Sequence, residues 1–187
     1  MGQYYNIVIE REDSKKTEVY NRTIDGEYTM AKLMEHSWYN NHMCNAIAKR
    51  IYDNPGRVSW VGDYAEESPL YDKAWNSMKE SFNILHSSDF TLNCRYLVNH
   101  TKKEILDCWN YVARALKEGE DTWVIHPLPL LTAVGNGRGG GDFRGGVGED
   151  SVGRWAGDLL EVVDYPRYAE LTKEKGYKPL DIVFIEK

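Results

Sequence analysis

The residue types best able to do chemistry are concentrated in one stretch of the chain. Glycine fills 8 of the 14 positions from 135 to 148, and the run Gly135-Asn136-Gly137-Arg138-Gly139-Gly140-Gly141-Asp142-Phe143-Arg144-Gly145-Gly146 also carries two arginines and an aspartate. Glycine loses more conformational freedom on folding than any other residue. A run this dense therefore needs a reason: unusual dihedrals, close backbone approach to a ligand, or mobility. Three readings stay open. Bare backbone N–H groups could form an anion-binding nest, with Arg138 or Arg144 as a bidentate clamp on a phosphate. The segment could be a protein-contact loop. It could equally be a long structural turn between strands. Gly135, Gly137 and Gly140 match the spacing GxGxxG, but no helix pattern opens directly after them and GK[ST] is absent, so the context of a nucleotide fingerprint fails. Arg138-Gly139-Gly140 and Arg144-Gly145-Gly146 are RGG tripeptides, which bind RNA without folding. Two copies inside a folded acidic chain carry little of that signal.

Other candidates surround this segment. Asp63, Asp142, Asp158 and Glu161 could bind Mg²⁺ or act as acid and base if the fold brought them together. Aspartates beside glycines more often cap turns. Trp155 follows the loop closely and could stack on a ligand base, although packing is the more frequent role of a tryptophan. His36, His42 and Cys44 are spaced six and then two apart, which suits neither a helical nor a knuckle zinc site. His100 and His126 stand isolated in sequence, and there is no GxSxG. No structural metal and no resident cofactor are expected.

These residues need a frame, and the hydrophobic pattern supplies one. Tyr5, Ile7 and Ile9 alternate, which predicts a strand over Tyr4–Glu10. A polar turn at Glu12-Asp13-Ser14 returns it as Thr17–Asn21. Apolar residues at three- and four-residue steps predict a helix over Tyr28–Asp53, with a break near Asn40-Asn41, ended by Asn54-Pro55-Gly56. A short strand follows at Arg57–Val61, then the turn Gly62-Asp63-Tyr64-Ala65, then a weak helix around Tyr71–Phe82. Thr91–Asn99 reads as a strand, Thr101-Lys102-Lys103 as a turn, and Ile105-Leu106 as a strand leading into a helix. Thr122–Ile125 is a strand closed by His126-Pro127, and Leu130–Val134 is apolar. Beyond the glycine segment come strands at Leu159–Val163 and Ile182–Ile185, with a short helix at Tyr168–Lys175. Strands outnumber helices and do not alternate with them. That favours one α+β domain over residues 1–187, a mostly antiparallel sheet with a few packed helices and a long glycine-rich loop.

Bulk properties exclude several classes. Aromatic residues make up 12% of the 187 residues, which argues against disorder. The formal charge is −6 with no block of either sign, so the basic footprint of a nucleic-acid binder is missing. Three cysteines, Cys44, Cys94 and Cys108, form no CxxC pair and suggest reduced thiols. No signal pattern opens the chain and no apolar run is long enough to span a membrane, which points to a cytoplasmic protein.

Met1-Gly2-Gln3-Tyr4-Tyr5, Gly62-Asp63-Tyr64-Ala65, Asn136-Gly137-Arg138-Gly139-Gly140-Gly141-Asp142-Phe143 and Trp155-Ala156-Gly157-Asp158 occur in this order across most of the chain. The set resembles a family of uncharacterised proteins from Gram-positive gut bacteria, their phages and prophages. The resemblance carries no established reaction and no catalytic residue. It implies a small accessory protein of a mobile element in a bacterial host cell, and counter-defence proteins such as anti-CRISPR inhibitors are one prominent class of that kind. The expectation is a non-enzymatic protein that binds and inhibits a host protein or nucleoprotein. The alternative is a nucleotide- or phosphate-ligand protein or small enzyme built on the glycine loop. The residues expected to carry either role are Asn136, Arg138, Gly139, Gly140, Gly141, Asp142, Arg144, Trp155, Asp158 and Asp63.

Overall fold

A computed structural model describes residues 1–24, 27–29, 31–76, 90–118, 124–144 and 151–182. Its centre is strand β1 (Tyr5–Glu10), which is buried on both faces because Tyr5, Ile7 and Ile9 point one way and Asn6 and Val8 the other. It pairs antiparallel with β2 (Thr17–Tyr20) through a hairpin and with β5 (Gly56–Gly62) on its other side. Two short strands, β3 (Arg22–Ile24) and β4 (Glu27–Thr29), form a separate hairpin.

The rest of the main sheet comes from later in the chain. Strands β6 (Tyr96–Asn99) and β7 (Glu104–Asp107) pair antiparallel, and β9 (Leu159–Val163) lies between β6 and β5, antiparallel to both. Two-residue strands β8 (Ala133–Val134) and β10 (Lys178–Pro179) add parallel pairings to β5 and β7 respectively. The path runs β10-β7-β6-β9-β5-β1-β2, with β8 attached to β5. The fold is α+β on a mostly antiparallel sheet.

Helices cover both faces. Helix α2 (His42–Arg50) starts where the Asn41 side chain accepts hydrogen bonds from the amides of Met43 (2.9 Å) and Cys44 (3.3 Å). It shares the larger core with α3 (Cys108–Glu118) and α4 (Pro127–Thr132), over Ile7, Ile9, Trp60, Leu97, Leu160 and Val162. On the opposite face, α5 (Tyr165–Glu174) covers Val98, Ile105 and Val163 through Leu171. A single π-helical turn, Asp72–Asn76, sits over β1, where the Asn6 side-chain amide donates to the Ala74 carbonyl at 2.9 Å.

Several expected boundaries move. The long helix over Tyr28–Asp53 is instead β4, a four-residue helix α1 (Leu33–His36) and α2. The Asn41 cap begins a new helix there, and residues 27–29 are taken up by the β3–β4 hairpin. Strand β6 begins late because Cys94 adopts φ 59° inside a turn. The apolar run at Leu130–Val134 is mostly helical, since Pro127 and the His126 cap start α4 upstream of it. The helix expected at Tyr71–Phe82 is only the π turn as far as it can be followed, its remainder lying outside the described residues. So do Thr122 and Trp123 of the strand expected at Thr122–Ile125 and all but Ile182 of the one expected at Ile182–Ile185; Ile125 forms a bridge with Trp38.

His126 is fully buried, and its Nδ1 accepts the Leu128 amide hydrogen at 3.2 Å. Burial alone pushes its pKa down to about 3. The unfolded chain takes up this proton below its usual value of about 6.5, and the folded chain does so only near 3. His126 therefore costs stability as pH falls through that window. The expected outcome is that His126→Asn, which keeps a cap acceptor, shows a shallower loss of melting temperature between pH 6.5 and 4 than the wild type. Parallel slopes in thermal denaturation across that range would contradict it.

Candidate functional site

The glycine segment closes on itself and on the N-terminal strand. Asp142 is 1% exposed, and its carboxylate is the hub. Its Oδ2 accepts from the amides of Gly137 (2.8 Å) and Gly139 (2.9 Å), and its Oδ1 accepts from the Tyr5 hydroxyl (2.8 Å). Asn136 brackets the same turn: its Oδ1 accepts from the Phe143 amide at 2.8 Å and its Nδ2 donates to the Phe143 carbonyl at 3.4 Å. The Tyr5 phenol is pushed far up, first by burial and then by its bond to Asp142.

The loop backbone is tied to its neighbours as well. The Gly140 carbonyl accepts from the Gln3 amide (2.9 Å), and the Gly140 amide donates to the Met1 carbonyl (3.0 Å). The Gly141 carbonyl accepts from the Met34 amide at 2.8 Å, which fixes α1 to the loop. Arg138 reaches out to Glu67 and to the Tyr64 carbonyl. Asp63 and Tyr4 pair reciprocally, Tyr4 N–H to Asp63 Oδ1 at 3.1 Å and Asp63 N–H to the Tyr4 carbonyl at 2.9 Å. The Asp63 carboxyl is held above the usual aspartate range, mainly by burial, with the charge of Asp142 adding to it. Asn136, Arg138, Gly139, Gly140, Gly141, Asp142 and Asp63 thus gather around the N-terminal strand.

The glycines differ in why they are glycine. Gly135, Gly137 and Gly141 have φ of 88°, 92° and 87°, which a side chain rarely tolerates. A Cβ on Gly139 would meet the Gln3 backbone nitrogen at 2.8 Å and the Gln3 Cβ at 2.5 Å. Gly62 and Gly135 also face the Gln3 carboxamide, so three glycines wall the slot that this buried side chain fills. Gly140 has ordinary φ, and a Cβ there would find its nearest atom at 3.5 Å.

The remaining candidates are held by other partners. Trp155 is fully buried in the core, and its Nε1 donates to Glu104 at 2.8 Å. Asp158 accepts from the Asn99 amide at 2.8 Å and from Lys102. Arg144 is exposed at the end of a described stretch. Asp63 and Asp142 are close enough to interact, while Asp158 and Glu161 belong to the β6–β9 region. The carboxylates thus form two groups. Among the described residues, no group of three or more His, Cys, Asp or Glu side chains could hold a metal ion, and no helix is long and apolar enough to cross a membrane. No family model, no curated protein and no solved structure matches the chain.

Two features had no clear sequence signal. Tyr5 reads as one member of an alternating strand, and only the fold brings its hydroxyl to an aspartate 137 residues away. His100, isolated in sequence, lies between Glu161 and Tyr177.

Substitutions separate the roles of these residues. Asp142→Ala removes the acceptor of three donors in a buried site, where each orphaned donor costs about 1–3 kcal/mol. It is expected to lower stability by several kcal/mol. Gly139→Ala forces the loop off the Gln3 backbone and is expected to cost about 1–3 kcal/mol. Gly140→Ala is expected to stay within about 0.5 kcal/mol. Urea denaturation of the three variants checks the order, and a Gly140→Ala loss equal to that of Gly139→Ala would refute this account of the loop.

Proposed function

We propose that the protein is a non-enzymatic binding protein that works by occupying a surface of another protein. The observation that carries this reading is the flank of α3. Trp109 and Leu116 are 56% and 53% exposed and stand two helical turns apart, on one side of the helix next to its buried stripe. Large side chains left in water at this spacing suit a partner surface, and tryptophan is the residue most enriched among binding hot spots. The buried face of α3, through Cys108, Tyr111 and Ala115, packs into the core, so the helix offers its flank on a rigid base.

The glycine loop supports the same reading by what its backbone already does. The amides of Gly137, Gly139 and Gly140 bond to Asp142 and Met1, and Arg138 bonds to Glu67 and Tyr64. These are the groups that a phosphate cradle needs free. The resemblance to phage- and prophage-associated proteins supplies the setting, in which the partner is a host protein or nucleoprotein such as a defence effector, in the manner of an anti-CRISPR inhibitor. A chain of net charge −6 suits a basic groove on such a target.

The test is affinity capture from a bacterial host carrying active defence systems, with Trp109→Ala/Leu116→Ala compared against wild type. The double variant is expected to keep its melting temperature, because both side chains are largely in water, and to lose the captured partner by at least tenfold. Capture unchanged by the double substitution would place the binding surface elsewhere. Native mass spectrometry of the purified protein showing a stoichiometric nucleotide would favour the ligand-binding alternative.

A further inference from the structure

The sheet face covered by α5 carries a chain of three groups from three elements. In the β6–β9 register Val98 stands opposite Glu161 and Asn99 opposite Leu160, and the His100 amide donates to the Leu159 carbonyl at 2.8 Å. Side chains alternate along strands, so His100, two residues beyond Val98, shares a face with Glu161 and lies diagonal to it. The His100 Nε2 is 2.8 Å from Glu161 Oε2, and its Nδ1 is 2.9 Å from the Tyr177 hydroxyl. The Glu161 side chain is 8% exposed. A buried carboxylate accepts, so the neutral imidazole carries its hydrogen on Nε2. That leaves Nδ1 as an acceptor for the Tyr177 O–H.

Hydroxyl, imidazole base and orienting carboxylate in hydrogen-bond sequence are the arrangement that activates a side-chain nucleophile. The turn that holds His100 is braced at several points. Lys102 N–H donates to the Asn99 side chain at 2.9 Å, Asn99 donates to Asp158, and the Thr101 hydroxyl accepts from the Leu159 amide at 3.0 Å. Tyr177 is half-buried, and its amide donates to the Leu171 carbonyl at 3.2 Å. Basic and acidic side chains mix around it, with Lys178 opposite Glu104 in the β10–β7 register. The Lys178 amide donates to the Lys103 carbonyl at 2.9 Å, which brings these two exposed lysines together. Arg167 interacts electrostatically with both Glu161 and Tyr177. Arg167 and Lys175 share Glu170 as their ion-pair partner.

We propose that Tyr177 is a nucleophile for phosphoryl electrophiles, activated by His100, with Glu161 as the positioning residue. In the step, Tyr177 Oη forms a bond to phosphorus as its proton passes to His100 Nδ1. The phosphorus–oxygen bond to the leaving group breaks on the side opposite Tyr177, the leaving oxygen takes a proton from water, and His100 returns its proton to solvent. A phosphate ester with the cations of Lys103, Lys178 and Arg167 around its oxygens is the class of substrate that fits. This inference does not depend on the binding surface at α3.

The probe is diisopropyl fluorophosphate, in which fluoride leaves instead of an alkoxide. Peptide mapping by mass spectrometry follows the adduct at Tyr177 and, as an internal reference, at Tyr165, which is 60% exposed and has no hydrogen-bonded imidazole among the described residues. Tyr177 is expected to label at least tenfold faster than Tyr165 despite being the less exposed phenol. His100→Gln is expected to bring the ratio to about one, and Glu161→Gln to lower it severalfold, with Glu161→Asp restoring part of it. Tyr165 labelling should stay constant throughout. A wild-type Tyr177 rate no greater than that of Tyr165, or a ratio unmoved by His100→Gln, overturns the proposal and leaves the three residues as a structural network. The wild-type ratio decides the matter even if a variant fails to fold.

Discussion

The bond network of Asp142 holds the N-terminal half of the structure to the later chain. A carboxylate excluded from water is costly unless its oxygens are met by donors, and here two amides and a phenol meet them. The consequence runs in both directions. The glycine turn keeps its shape because the carboxylate collects Gly137 and Gly139, and β1 keeps its position because Tyr5 reaches the same group. Gly140 and Gly141 then extend the attachment to Met1, Gln3 and α1 through backbone alone. The density of glycine follows from this geometry: backbone is packed against backbone, and a side chain at Gly139 would occupy the place of Gln3.

Around that hub the sheet separates two kinds of surface. One face carries the large apolar core beneath α2, α3 and α4. The other is divided between the π-helical turn over β1 and α5 over β6, β7 and β9, and it buries the polar groups of Asn6 and Glu161. Each has a partner of matching chemistry, Asn6 in the Ala74 carbonyl and Glu161 in His100.

Much of the frame was legible in the sequence because it is local. The alternation of Tyr5, Ile7 and Ile9 marks β1, and the strand at Leu159–Val163 falls where its apolar run lies. The strand-to-helix passage at Ile105 is realised as β7 running straight into α3. Elements fixed by a single dihedral were harder, since hydrophobic periodicity is blind to them. The helix break near Asn40-Asn41 falls where it was expected, with Asn41 capping α2, but Cys94 shortens a strand by turning the chain, which no apolar pattern marks. The candidate site was legible as a glycine-rich anomaly, but its internal logic was not. Nothing local marks Asp142 as the partner of Tyr5, or His100 as the bridge between Glu161 and Tyr177, because each contact spans more than sixty residues and exists only once the sheet has formed.

The place of β9 in the sheet has a consequence for how the chain reaches its native state. Strands β2, β1 and β5 come from the first third of the sequence, and β6 and β7 form a hairpin of their own, yet nothing in the sheet path joins these two pieces except β9. Without Leu159–Val163, the facing edges of β5 and β6 would lack their hydrogen-bonding partner. Insertion of β9 satisfies both edges at once and draws Ile51 and Asp53 onto Val162. Pairings of such high sequence separation are slow to form and leave strand edges open to wrong partners in the interval. Closure of the main sheet therefore depends on β9, the strand that joins its two pieces.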